Sequence, residues 1–213
     1  MAAVKGYTKE QLDRFVKGFV LLREALIEHP HDYLGELFMG LNLGSKWNGQ
    51  FFTPMYIARM MAKINFDDAA ANIEKNGFIT AMDPCTGGGA MLIAFADEMQ
   101  QAGFNYPTQL YCVAQDIDIK AVYMTYIQLS WMGVGCRVNH GDTLKNEVKS
   151  SWLSPWNICY GWEPRFRGLQ AQLAEVEVQQ QAIKQILELE KAKIGTPWPN
   201  PDKVLNLEQL SLF

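Results

Sequence analysis

The feature that most constrains this chain is an alternation in its middle. Phe78-Ile79-Thr80-Ala81-Met82 is a short apolar run that stops at Asp83-Pro84 and the glycines Gly87-Gly88-Gly89, and a helical stretch follows from Ala90 to about Gln101. Leu110-Tyr111-Cys112-Val113-Ala114 then closes at Gln115-Asp116 and leads into a second helical stretch, about Ile119 to Met132. A third run, Cys136-Arg137-Val138-Asn139, ends at His140-Gly141-Asp142. Short apolar runs bounded by turn residues read as buried strands, and helices between them are the crossovers that parallel strands need. The alternation therefore predicts an α/β domain built on a parallel, doubly wound sheet. In such a sheet ligands sit beyond the carboxyl ends of the strands.

The flanks are different. Leu12, Phe15, Phe19, Leu22 and Leu26 recur at helical spacing between Thr8 and about Glu28, with Thr8 as N-cap and Gln11 as its capping-box partner. Pro30 to Gln50 carries four glycines and reads as a short helix followed by a loop, after which Pro54 opens another helix to about Ile64. Beyond Ser150 aromatic residues and prolines crowd a short segment. Leu169 to Ile194 then has helix composition, and its positions 169, 173, 176, 180, 183, 187, 190 and 194 form a heptad seam with two polar interruptions. Pro197, Pro199 and Pro201 make a stiff tether before the final residues. The division expected is 1–50 as an N-terminal helical region, 51–166 as the α/β domain, 167–195 as an amphipathic helix and 196–213 as tether and tail.

Composition excludes several classes. At 213 residues and 48% hydrophobic the chain is too apolar for disorder. No run approaches the roughly 18 apolar residues of a membrane span, and the start lacks the regions of a signal peptide. The four cysteines form no C-x-x-C and the three histidines complete no zinc set, so the reading is a cytoplasmic protein with reduced thiols and no metal. A net charge of −4 counts against a stand-alone nucleic-acid binder.

The chemistry lies in Asp83-Pro84-Cys85-Thr86-Gly87-Gly88-Gly89. Glycines between a strand and a helix let the backbone approach a ligand, and the helix N-terminus offers free N–H groups. No Gly-Lys-Ser/Thr follows, so this is not a P-loop; Leu92 stands where a dinucleotide fingerprint needs its third glycine. Asp116, at the end of the second strand, is suited to ribose hydroxyls, and Asp142 is placed to reach an adenine edge. Against this, the glycines alone make a plain tight turn, Asp116 and Asp118 could cap the next helix, and Asp142 could be a turn residue. Three loops at one sheet edge favour a nucleoside-containing cofactor.

Several motifs in family order carry a resemblance. Asp83-Pro-Cys-Thr-Gly-Gly-Gly-Ala-Met-Leu92 resembles the cofactor motif of S-adenosylmethionine-dependent DNA N6-adenine methyltransferases, and in particular the D-P-x-x-G-x-G-G-F-L of type I restriction-modification M subunits. Gly49-Gln50-Phe51-Phe52-Thr53-Pro54 is similar to their G-Q-F-x-T-P, and Asp32-Tyr33-Leu34-Gly35 to their D-x-L-G. Ala114-Gln115-Asp116 stands where the family has G-Q-E, and Gly141-Asp142-Thr143-Leu144 matches G-D-T-L. The resemblance, over about residues 30 to 145, implies a Rossmann-like methyltransferase fold with a truncated parallel sheet, an N-terminal helical region and a long C-terminal helix. It implies S-adenosylmethionine held by Phe52, Thr53, Pro54, Asp83, Pro84, Cys85, Gly87, Gly89, Asp116, Ile117, Asp142 and Thr143. In that family the G-Q-F-x-T-P segment contacts the methionine part, the acidic residue the ribose, and the G-D-T-L aspartate the adenine amino group.

One family motif is missing. The catalytic N-P-P-F or N-P-P-Y, at the end of the fourth strand, accepts hydrogen bonds from the adenine N6 amino group and stacks on the flipped base. No Asn-Pro-Pro occurs in the chain, and the nearest register places Trp162, Glu163 and Pro164 there. An indole offers only a donor. Few residues follow Phe166, where family members continue with further strands. The expectation is cofactor binding without methyl transfer and no catalytic residue.

The tail adds a partner. Gln209-Leu210-Ser211-Leu212-Phe213 resembles the bacterial sliding-clamp-binding pentapeptide, with apolar anchors for a docked linear peptide. The competing fates are a leucine tail folded on the domain or a chance match. Three functions compete: an active adenine methyltransferase needing a partner subunit for DNA, a catalytically dead cofactor binder docked on the clamp, and a regulator or decoy of a restriction-modification complex. The Leu169–Ile194 helix is a candidate homodimer seam, and DNA would be reached indirectly or through a partner. A bacterial, phage or plasmid origin fits these motifs.

Overall fold

Thr8 caps a helix whose first turn is closed in both directions. The Gln11 N–H donates to the Thr8 hydroxyl and the Thr8 N–H to the Gln11 side chain, which starts α1 (Lys9–Glu28). In a computed structural model that describes residues 4–41 and 52–194, α2 (Tyr33–Gly40), α3 (Met55–Ile64) and α4 (Phe66–Asn76) follow. Then come β1 (Ile79–Asp83), α5 (Ala90–Gln101), the single turn α6 (Tyr106–Gln109), β2 (Leu110–Asp116), α7 (Ile119–Trp131), β3 (Gly135–Asp142) and β4 (Glu147–Leu153). A second turn, α8 (Trp156–Cys159), and the long α9 (Trp162–Ile194) complete the described chain. The chain divides into two compact units, Met1–Glu163 and Pro164–Phe213.

The strand–helix alternation is as read: β1, β2 and β3 are parallel neighbours, with Ala81, Cys112 and Cys136 in register. Their order never reverses, so right-handed crossovers place α5 and α7 on one side of the sheet. Doubly wound is therefore corrected to one-directional among the described residues. The core lies on that side. Cys112, Ala114, Cys136 and Val138 are fully buried against Ile93 and Ala96 of α5 and Val122 and Leu129 of α7, while Ala58 and Ala62 of α3 pack outside α5. Burial pushes the Cys136 thiol up to about 12, as an inert core thiol should be.

Two elements escape the hydrophobic pattern. α4 is rich in alanine and acid, and ends on Gly77 in the left-handed conformation. β4 alternates weakly because most of it is exposed. It pairs antiparallel with β3, from Asp142–Glu147 to Arg137–Leu153. A polar, partly exposed edge strand has little apolar signature to read. Its direction matters most, because it carries the chain from the carboxyl end of the sheet back to the amino end.

There Trp162 is found. Its ring meets Phe78 edge-on at 5.4 Å and Tyr111 at 5.3 Å, and lies against the Cα of Gly135, where any Cβ would collide with the indole. Phe78 precedes β1, Tyr111 is the second residue of β2 and Gly135 begins β3. The register that set Trp162, Glu163 and Pro164 at the family's catalytic position is thus corrected. Trp162 is 1% exposed and closes the amino end of the sheet, about 15 Å from the far end of the five-residue β1. Glu163 and Pro164 follow it in the first turn of α9, where proline is tolerated because the early N–H groups have no helical partner. Among the described residues no helix is long and apolar enough to cross a membrane.

Candidate functional site at the carboxyl edge of the sheet

At the opposite end the three strands finish on Asp83, Asp116 and Asp142. The glycine loop is held by them and by α7. Gly87 and Gly89 take positive φ of 56° and 98°, which side chains with a Cβ rarely adopt. The Gly87 N–H donates to Asp116 Oδ2 at 2.9 Å, and the Asp118 N–H donates to Oδ1 of the same carboxylate at 2.9 Å. Each oxygen, having accepted one backbone N–H, has a further lone pair with which to accept another donor.

Asp83 turns the chain at the loop entrance, its Oδ1 accepting the Cys85 N–H at 3.0 Å. Burial pushes its carboxyl above the ordinary value; the Cys85 bond opposes this and the Asp116 charge adds to it. From the third strand, the Thr143 hydroxyl donates to the Pro84 carbonyl at 2.6 Å and accepts from Gln115 Nε2 at 2.9 Å. Loops one and three are thereby tied across β2.

Asp142 stands differently. Its Oδ1 accepts the Leu144 and Lys145 N–H groups at 3.0 and 3.2 Å, and Oδ2 pairs with Lys145 Nζ at 3.2 Å. Desolvation raises its carboxyl, but Lys145 and these backbone bonds together outweigh that and leave it below the ordinary range. The structure thus gives Asp142 its turn-forming role, at the same edge as Asp83 and Asp116. Ile117 is exposed on the connection after β2, and its carbonyl meets His140 Nε2 at 3.1 Å.

A cavity of about 440 Å³ opens beside the loop, lined among others by Phe52, Thr53, Asp83, Cys85 and Gly87. Phe52 comes so close that a Cβ on Gly87 would lie 3.0 Å from its ring, and it stacks on Phe38 with centroids 5.6 Å apart. Pro54 caps α3 behind Thr53. The cavity reaches Ala81 and Met82 on β1 and Phe95 on α5, whereas Pro54, Pro84, Gly89, Asp116, Ile117, Asp142 and Thr143 lie outside its lining. Gly49, Gln50 and Phe51, like Gln209 to Phe213, lie outside the described residues.

The sequence reading gave no role to the polar residues beneath the loop. The Thr125 hydroxyl donates to the Gly87 carbonyl at 2.9 Å. Gln128 Nε2 donates to the Gly88 carbonyl and to Asp32 Oδ1, both at 2.8 Å, while its Oε1 accepts the Leu34 N–H. Asp32 also caps α2 through the Gly35 N–H. Its carboxylate packs on Gly88 so tightly that a Cβ there would collide with it, which explains the middle glycine. Burial raises the Asp32 carboxyl despite the bonds from Gln128 and Gly35 that lower it. The overlooked signal was in α7: Thr125 and Gln128 interrupt the buried stripe of Ala121, Val122 and Leu129 at helical spacing.

A strand-end carboxylate fixed by a glycine-loop amide, a second loop tied to the first by a threonine, and a helix pinned beneath the glycines together hold the glycine loop at an open sheet edge. No curated protein matches the chain. The model of one family, N-6 DNA Methylase, matches residues 34–161, from the third residue of the Asp32 motif through β4 and α8. That match spans more than half of the sequence and includes every element around the glycine loop, and the chain belongs to the N-6 DNA methylase family.

Proposed function

We propose that this methylase-like chain binds S-adenosylmethionine at the carboxyl edge of β1–β3 and does not itself transfer the methyl group. Gly87 and Thr53 would receive the methionine part, Asp83 would shape the loop against it, and Asp116 would take the ribose hydroxyls. The bound cofactor would supply the electrophilic methyl group. The observation that carries the inactive reading is the direction of β4. The chain leaves the cofactor edge after Asp142, and its next residues pack at the amino end around Trp162. Neither they nor any Asn-Pro-Pro elsewhere can accept the N6 amino hydrogens beside the loop. The tail Gln209–Phe213 would dock the protein on the bacterial sliding clamp, bringing an acidic chain to DNA without a basic surface of its own.

Calorimetric titration with S-adenosylmethionine, beside a labelled-methyl assay on DNA, tests the first part. Binding without transfer is expected. Transfer to adenine that Asp83→Ala abolishes would overturn the inactive reading, and no heat or thermal shift at millimolar cofactor would overturn the binding. Purified clamp titrated against the full chain and a form lacking 205–213 tests the second part. Equal binding by both, or by neither, rejects it.

A second reading has an observation of its own. The outer edge of β1 pairs with no strand among the described residues, and Met82 on it is 67% exposed beside the cavity. An open edge accepts a strand from another chain through main-chain hydrogen bonds. On this reading a partner subunit supplies the base-binding strand, and methyl transfer appears only when that subunit is added.

A further inference from the structure

Helix α9 runs for 33 residues, and among the described residues it is the whole of the unit Pro164–Phe213. Single helices owe most of their stability in water to an apolar face packed on something. Among the described side chains of this helix, Ile183 is 57% and Leu187 37% exposed, and Val176 and Ile186 are exposed as well. The seam positions 169 to 194 step by four and three throughout, about 39 Å of helix at 1.5 Å per residue. With Val176 and Ile183 at d, Gln180 and Leu187 fall at a, and Glu177 and Lys184 at e.

From this pattern we propose that α9 pairs with α9 of a second copy as an antiparallel two-stranded coiled coil. The charges select the direction. In an antiparallel pair a packs against d and e lies beside e. The register that overlaps the whole seam sets Val176 against the partner's Leu187 and Gln180 against the partner's Ile183. It also brings Glu177 beside the partner's Lys184, twice by symmetry. A parallel pair would instead put Glu177 and Lys184 beside glutamines, Gln172 and Gln179 at g, and gain nothing from charge. Gln180 in the seam also restricts the pairing, since a polar a residue specifies register and strand number at some cost in stability.

The test is the mass of the full chain by light scattering at micromolar concentration. The wild type should run at twice the chain mass. Ile183→Glu with Leu187→Glu should give a monomer whose far-UV spectrum still reports a folded Met1–Glu163 unit. Lys184→Glu alone sets two acids together and should raise the dimer dissociation constant about tenfold. Adding Glu177→Lys to it should restore the wild-type value, because the swapped charges again face each other. A monomeric wild type overturns the proposal, and so does a dimer that survives the seam substitutions. A dimer broken by the seam variants but indifferent to the charge swap overturns it too, since only the antiparallel seam places Glu177 beside Lys184.

Discussion

The two ends of one small sheet are built from the same three strands and are put to opposite uses. At the amino end Phe78, Tyr111 and Gly135 pack around one buried indole. At the carboxyl end the same strands finish on Asp83, Asp116 and Asp142, and the backbone between them is held by side-chain hydrogen bonds. Packing of aromatic surface is the stable solution at one end, and hydrogen-bonded polar groups facing open space are the solution at the other. Parallel strands enforce this polarity, since each crossover returns the chain to the amino end before the next strand begins.

If that contrast is right, stability and ligand affinity should separate by end. The largest effect is expected from Trp162→Ala, which empties a fully buried site and should cost about 3–5 kcal/mol in urea unfolding. Affinity for S-adenosylmethionine, measured where the variant is still folded, should stay within about threefold of wild type, because Trp162 packs on Phe78, Tyr111 and Gly135 at the other end of the strands. A variant that loses affinity but not stability would put Trp162 back beside the cofactor and break the comparison.

Asp116→Ala is the reciprocal experiment. It should weaken cofactor binding by about 1–3 kcal/mol, the worth of charge-assisted bonds to ribose. Its effect on unfolding should be about 1 kcal/mol or less, since water can replace the carboxylate at the half-buried Gly87 and Asp118 N–H groups. Titration calorimetry and urea melts on one preparation give both numbers. A stability loss without an affinity loss would make Asp116 a loop brace only.

How much of this was legible in the chain follows the same physics. The parallel strands announced themselves as short apolar runs bounded by turn residues, although only β2 is buried along most of both faces, and the glycine loop because glycine readily takes its positive φ. β4 gave little signal, since Glu147, Lys149 and Ser151 are what an exposed edge strand prefers. Trp162 was misplaced because residue type and spacing say nothing of which end of a strand a later segment reaches. Only the antiparallel direction of β4 decides that, and a β3–β4 connection of a few residues is what permits it. Asp32 was legible as a motif and not as a contact, because its partners Gln128 and Gly88 lie far along the sequence.

That last residue gives the smallest and most specific effect. Asp32 is 3% exposed, and burial raises its carboxyl above the ordinary value in the folded state. Between the ordinary value and the raised one, the folded chain therefore keeps a proton that the unfolded chain has released. Its contribution to stability is complete below the ordinary carboxylate range and is lost as pH rises through the raised value. Asp83 is raised as well and acts in the same direction, while Asp142 is lowered and costs stability only as pH falls below the ordinary range. Asp32→Asn keeps an oxygen for the Gly35 N–H and for Gln128 but has no proton to release. Unfolding free energies from about pH 4 to about pH 7 should then fall less steeply for the variant than for wild type, with Asp83 leaving a remainder. Binding of S-adenosylmethionine should stay nearly level, since Asp32 braces Gly88 from beneath and its hydrogen-bonding shape is preserved. Parallel pH curves for the two proteins would mean that Asp32 ionises as freely folded as unfolded, and the carboxyl end would then differ from the amino end in hydrogen bonding alone.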